Sequence, residues 1–276
     1  MNFDPGFPIT VKTDPMGFVY GNRVYGPTPE LRTLDSIRPS LMDPGCSGPE
    51  IVYCIAMDVA LEEDRRELES RHLLYGVVTY AKGSLGKEPI RSQGHIHAVS
   101  ASCGSSTCEV YEIWEGRACI YMQESGSDNA GNCYAVCGNA GDVIIVPPGW
   151  VHVTINACPD RPMTFGAWCI RDYGFDYRDV RGHGGIAFFS ACRRKRSCMD
   201  RERKIFLGQA DRKRGKGLCR LRSVEGCADI HAVQRGSRPL PLCYKSVRLS
   251  RTLGKLYALS GREEYHELLQ KSDKCY

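Results

Sequence analysis

Apolar and polar positions alternate in short bursts along the middle of the chain. Residues 74–80, 113–122, 133–137, 143–146, 151–157, 163–170 and 186–189 are β-branched or aromatic runs, punctuated by Gly, Asn, Asp and Pro. Such runs predict strands, and many short strands at close spacing predict a sandwich or small barrel. Residues 51–60 read as a further strand, and the charged stretch 62–67 after them as a helix or a polar loop. The first 47 residues are rich in Pro and Gly and read as an N-terminal arm packed on the barrel. The expected division is a mainly β domain with its arm over residues 1–190, the barrel itself spanning about 50–190.

Beyond Phe189 the pattern changes. Cys192-Arg193-Arg194-Lys195-Arg196, then 201–204, Arg212-Lys213-Arg214 and Lys216 form a basic stretch within 191–222 that has little apolar patterning. Such charge suits a polyanion. The reading adopted is a solvated extension, because no nucleic-acid-binding fold accompanies it, and nucleic acid is not an expected partner. Near the end, Tyr265, Leu268 and Leu269 recur at helical spacing and predict a helix over 261–271. Residues 191–276 are thus expected to form a basic C-terminal extension with a terminal helix.

Composition narrows the classes without choosing among them. With 276 residues, 42% hydrophobic, 25% charged and a net charge of +5, the chain has the makeup of an ordinary globular protein. No apolar run approaches ~18 residues, so no membrane span is expected. Met1-Asn2-Phe3-Asp4-Pro5 lacks a basic region leading into a hydrophobic one, so a cytoplasmic setting is expected. The fifteen cysteines include no Cys-x-x-Cys pair. They read as reduced thiols acting as small hydrophobes, not as a disulfide framework or zinc ribbon.

Two stretches carry candidate chemistry. In Gly94-His95-Ile96-His97 the histidines stand two apart, so in an extended strand both imidazoles face one side. In 141–156 an apolar strand runs into the corner Pro147-Pro148-Gly149, and a second strand carries His152 out of it. Proline suits a strand end and glycine a sharp turn. Two histidines on one strand and a third at a rigid corner are the makings of a metal site.

These stretches resemble the two motifs of the cupin superfamily. Gly141, Pro147, Gly149, His152 and Asn156 match the second without a gap; His95, His97, Glu109 and Gly116 match the first. The interval 98–108 is longer than in most cupins and, being rich in Ser, Cys and Gly, reads as an enlarged surface loop. Within the superfamily, Arg32-Thr33-Leu34-Asp35, the run from Gly83 to Gly94, Glu109-Val110-Tyr111 and Asp176-Tyr177 resemble the cupin-type glucose-6-phosphate isomerases. The resemblance covers about the first two thirds of the chain.

The resemblance implies a mainly β fold, the cupin double-stranded β-helix or jelly-roll-like barrel. It implies one divalent metal ion per subunit (Fe, Mn, Ni, Co or Zn) on His95, His97, Glu109 and His152, with about two positions open to substrate oxygens. Glu112, three residues after Glu109 and on the opposite strand face, is a rival for the carboxylate. The implied activity interconverts glucose 6-phosphate and fructose 6-phosphate, a step of glycolysis and gluconeogenesis. Glu109, Tyr111 and Tyr177 would be catalytic; Ser92, the backbone of Gly94 and Lys87, with Arg91 nearby, would hold the phosphate. Glu109 as ligand, base or both stays open, and with it proton transfer through an enediolate against a hydride shift.

Val78, Cys169 and Phe175 stand where some members of the resembled family have Thr, Tyr and His, and they weaken the substrate assignment. A cupin dioxygenase and a non-catalytic sugar-phosphate-binding cupin are the alternatives. Edge-strand pairing into a homodimer is expected. His72, His183, His231 and His266 read as surface histidines.

Overall fold

The computed structural model describes residues 3–193, 204–209 and 221–224. The chain divides into two units, Met1–Glu225 and Gly226–Tyr276. The second unit, with the helix expected at 261–271, lies outside the described residues, as does most of the basic stretch 191–222.

Two sheets, antiparallel but for one added strand, carry the first unit. One has six strands in the order Val143–Val146, Glu109–Glu115, Met163–Ile170, Leu73–Tyr80, Ile51–Met57 and Glu30–Thr33. The other runs Val151–Asn156, Arg117–Gln123, Cys133–Asn139, and then Leu221–Val224, which joins in parallel. The fold is therefore mainly β with the interleaved antiparallel strands expected of a cupin. The expected strands at 143–146 and 163–170 form over those residues, and the charged 62–67 region contributes to a short helix, Arg65–Ser70.

The run at 113–122 is two strands, not one. The chain turns at Gly116, with φ +80°, and passes from the first sheet to the second. A Cβ there would lie 2.8 Å from the carbonyl oxygen of Pro162, so glycine is required by both backbone angle and space.

Alternation along these strands builds three apolar layers. Ile113 and Ile120 point into the central cluster with Val78, Ile144 and Phe165. Their neighbours point the other way: Trp114 joins Tyr75 and Val77 under Phe3 and Phe7 of the N-terminal arm. Tyr121 packs with Val153, Val180 and Phe188 beyond the second sheet. Sheets covered on both faces explain why these runs are apolar at nearly every position instead of every second one.

Candidate metal centre and active site

Sheet pairing brings the two histidine stretches side by side. His95 and His152 form an antiparallel bridge, with His152 N–H donating to the His95 carbonyl at 2.9 Å and the reverse bond at 3.2 Å. Ile96–His97 is strand and pairs with Phe175–Asp176. The His95 and His97 rings stack with centroids 5.3 Å apart, as their two-residue spacing requires. Glu109 enters from the other sheet. One ligand atom from each of His95, His97, Glu109 and His152 lies within 4.8 Å of the others.

Hydrogen bonding orients the rings. His152 Nδ1 lies 3.1 Å from the Trp150 carbonyl and His97 Nδ1 lies 3.2 Å from that of Thr107. A carbonyl only accepts, so each Nδ1 carries the proton and, in a neutral imidazole, each Nε2 presents a lone pair. Both lone pairs face one carboxylate oxygen, Glu109 Oε2, at 3.0 Å for His152 and 3.2 Å for His97. Acceptors gathered this closely need something electropositive among them, a shared proton or a cation. Nε2 of His95 and of His97 are buried and lack a hydrogen-bond partner. These orphaned nitrogens beside a carboxylate fit a divalent metal ion, and the mixed N/O set suits a first-row transition metal.

The electrostatics agree with a ligand set. Burial and the neighbouring His152 and His97 push His95 well below the usual histidine range, keeping it neutral. Burial alone would raise the Glu109 carboxyl, but the adjacent His152 and His97 side chains outweigh it and hold Glu109 well below the usual range. Glu112 stands apart: its carboxylate accepts from Tyr75 at 2.5 Å on the opposite face of the strand, and burial raises it. The carboxylate in the cluster is Glu109.

A cavity opens beside the cluster, lined among others by Ser92, Gln93, His95, Glu109, Tyr111 and Tyr177. Tyr111 donates to Glu109 Oε2 at 3.0 Å and accepts from Thr154 Oγ1 at 3.3 Å; burial raises its phenol, which stays protonated. The Tyr177 ring lies 5.9 Å from His95, and burial raises its phenol too. Ser92 accepts from Thr154 N–H at 3.1 Å. Val78 and Phe175 contribute apolar wall, and the Cys169 thiol reaches Glu109 Oε1 at 3.6 Å.

Two expectations need correcting. Lys87 is exposed at the turn of the hairpin Ser84–Leu85/Glu88–Pro89 and does not line the cavity, because a two-residue turn faces solvent. Arg91 is not available to a phosphate. It is fully buried, held by Glu88 at 2.7 Å and by the carbonyls of Ser92 and Ser40, and its charge is spent inside the protein. Gly94 stands between the lining residues Gln93 and His95; its φ of +90° and a would-be Cβ 2.6 Å from Val153 explain the glycine by close approach to the His152 strand.

Arg32 supplies a cationic group in the cavity wall instead, its side chain 24% exposed and paired with Glu30 at 3.0 Å. Arg32 belongs to the Arg32-Thr33-Leu34-Asp35 stretch that carries part of the family resemblance, but it was given no role there because it arrives on an edge strand far from both histidine motifs. Thr154 was legible: it lies two residues after His152 and therefore on the same face.

The family model for glucose-6-phosphate isomerase (GPI) matches residues 44–204, more than half of the chain and all four clustered residues. The chain belongs to the glucose-6-phosphate isomerase family. Among similar proteins, a glucose-6-phosphate isomerase of Thermococcus onnurineus is 29% identical over 125 residues, covering 45% of this chain and 59% of its own. One of Pyrococcus furiosus shows the same identity and coverage. A putative glucose-6-phosphate isomerase of Rhizobium meliloti is 27% identical over 46% of this chain and 54% of its own. The chain thus matches under two thirds of the length of these family members.

Among solved structures, vicilin of Corylus avellana aligns over 48% of this chain and 33% of its own, at 14% identity and a TM-score of 0.34. An oxalate oxidase aligns over 38% and 45%, at 18% identity and a TM-score of 0.28. Similarity at that level carries no argument about this family member.

Proposed function

We propose that this chain is a metal-dependent aldose-ketose isomerase that interconverts glucose 6-phosphate and fructose 6-phosphate. The observation that carries the reading is the cluster itself: three imidazoles and Glu109 within 4.8 Å, at the wall of a cavity that also presents tyrosine hydroxyls and an arginine, in a member of this family.

His95, His97, Glu109 and His152 would hold one divalent ion. When bound, such an ion acts as a Lewis acid toward substrate oxygens and lowers the cost of negative charge next to a carbonyl. The protein's part is orientation and proton control. Tyr177, kept protonated by burial, donates a hydrogen bond to the sugar oxygens as charge develops on them, while Tyr111, also kept protonated by burial, lines the sugar pocket and commits its single donor to Glu109. Tyr111 also grips Glu109 Oε2, so the group that carries or relays the proton between C1 and C2 is held in place. Ser92 and Arg32 receive the phosphate, whose distance from the reacting carbons lets its binding energy serve orientation. Val78 and Phe175 narrow the sugar pocket with apolar surface.

The rest of the reading concerns setting. A homodimer is supported by the edge strand Glu30–Thr33, where Leu31 is 48% exposed. Among the described residues no helix is long and apolar enough to cross a membrane, and a cytoplasmic setting remains our expectation.

The test is conversion of fructose 6-phosphate to glucose 6-phosphate before and after chelation, with Fe, Mn, Ni, Co and Zn returned singly. Activity lost to chelator and restored by one of these ions supports the reading. No turnover with any ion overturns it and directs attention to other sugar phosphates and to oxygen uptake.

A further inference from the structure

The segment 98–108, which separates His97 from Glu109, is tied into the site at both ends. Its outer part folds back on itself, with Gly104 N–H donating to the Ser100 carbonyl at 2.8 Å. Asp172 anchors that part: its carboxylate accepts from Ser100 Oγ and Ser102 N–H, each at 2.8 Å, and from Ser102 Oγ at 3.1 Å. Asp172 in turn lies just before Phe175–Asp176, the short strand that pairs with Ile96–His97. The enlarged surface loop is therefore held to the element that flanks the histidines.

Its inner end reaches further. Ser106 Oγ donates to the carbonyl of His97 at 2.8 Å and accepts from the N–H of Gly149 at 2.9 Å. Gly149, with φ +78°, closes the Pro147-Pro148-Gly149 corner three residues before His152. The next residue, Thr107, offers its carbonyl to His97 Nδ1. One hydroxyl thus spends its donor on one histidine segment and an acceptor lone pair on the other. Only a group that both donates and accepts through a single atom closes this link.

We infer that Ser106 is a positioning residue: its hydroxyl bridges the His97 strand to the corner that aims His152, and so sets the spacing of the two imidazoles. The inference rests on the proposed metal centre but names a residue to which that proposal gives no role. Groups that orient ligands without touching the metal commonly govern affinity by about 10–100-fold. Ser106→Ala would leave the His97 carbonyl and the Gly149 N–H without their partner, while Ser106→Thr keeps a hydroxyl in the same place. Ser102→Ala loosens the anchor to Asp172 and leaves the bridge intact.

The experiment titrates Co²⁺ into the full chain and into these three variants, reading affinity and the visible ligand-field spectrum. Ser106→Ala is expected to weaken Co²⁺ by about 10-fold or more and to change the spectrum, with Ser106→Thr and Ser102→Ala near the unaltered chain. Metal-free chain is followed by amide exchange, where Ser106→Ala is expected to speed exchange at Gly149. If the unaltered chain binds no Co²⁺, the metal-centre reading fails, and exchange at Gly149 alone still decides whether the bridge exists. If it binds Co²⁺ and Ser106→Ala matches it, or Ser102→Ala loses as much, the positioning role is overturned. Unchanged exchange at Gly149 in Ser106→Ala overturns it as well.

Discussion

Glu109 Oε2 lies 3.0 Å from His152 Nε2, although the two residues are 43 positions apart and stand on different sheets. The site is therefore made by the packing of one sheet on the other. Glu109 belongs to the six-stranded sheet and His152 to the four-stranded one, so whatever holds the sheets in register also holds the ligand geometry.

Removing one imidazole tests that geometry most directly. His152→Ala deletes a ligand and leaves Glu109 with one facing histidine fewer. Bound metal, measured by equilibrium dialysis, and isomerase turnover are both expected to fall by more than the ~10–100-fold typical of losing an outer partner. Retention of both would show that the cluster is not the site.

The phosphate end makes a separate prediction. Arg32→Ala removes a cation from the cavity wall. A hydrogen bond between charged groups contributes about 1.5–3 kcal/mol, which corresponds to a rise of ~10–100-fold in KM for fructose 6-phosphate with little change in kcat. Steady-state kinetics read that split directly. An unchanged KM would put the phosphate elsewhere.

The buried pair Arg91–Glu88 should matter for stability alone. Glu88 accepts from Arg91 at 2.7 Å and from Met42 N–H at 2.7 Å, and both side chains are about fully buried. Glu88→Ala strands an arginine charge in the interior, at an expected cost of about 3–5 kcal/mol. Urea unfolding monitored by tryptophan fluorescence measures it.

Gly116→Ala probes the crossing between sheets. Its φ of +80° and the 2.8 Å approach to Pro162 oxygen leave no room for a methyl group. Strain of this kind costs about 1–3 kcal/mol. The expected result is a thermal midpoint lower by several degrees, at about 2–4 °C per kcal/mol for a domain of this size. A midpoint equal to that of the unaltered chain would mean that the crossing relaxes.

Much of this protein was legible before any coordinates. The strand Met163–Ile170 follows from apolar content alone, because a strand covered on both faces must be apolar along its length, and Val143–Val146 follows from its β-branched run. The histidine pair was legible because a two-residue period puts His95 and His97 on one face in any extended backbone, and the same rule separates Glu109 from Glu112. These are local relations, and local geometry decides them.

What depended on partners was not legible. Residues 113–122 look like one strand until Gly116 is seen to pass between sheets, since periodicity is silent about which neighbour a strand pairs with. Arg91 reads as a charge near the phosphate until Glu88 and two carbonyls surround it, and Lys87 reads as a phosphate contact until its turn is seen to face solvent. Arg32 and the Ser106 bridge reach the site from segments remote from the motifs they serve. By itself the sequence determined which residues are able to bind a metal and which face of a strand they share. The tertiary structure alone decided which of them meet, because that depends on how two sheets pack and on which buried charges find partners.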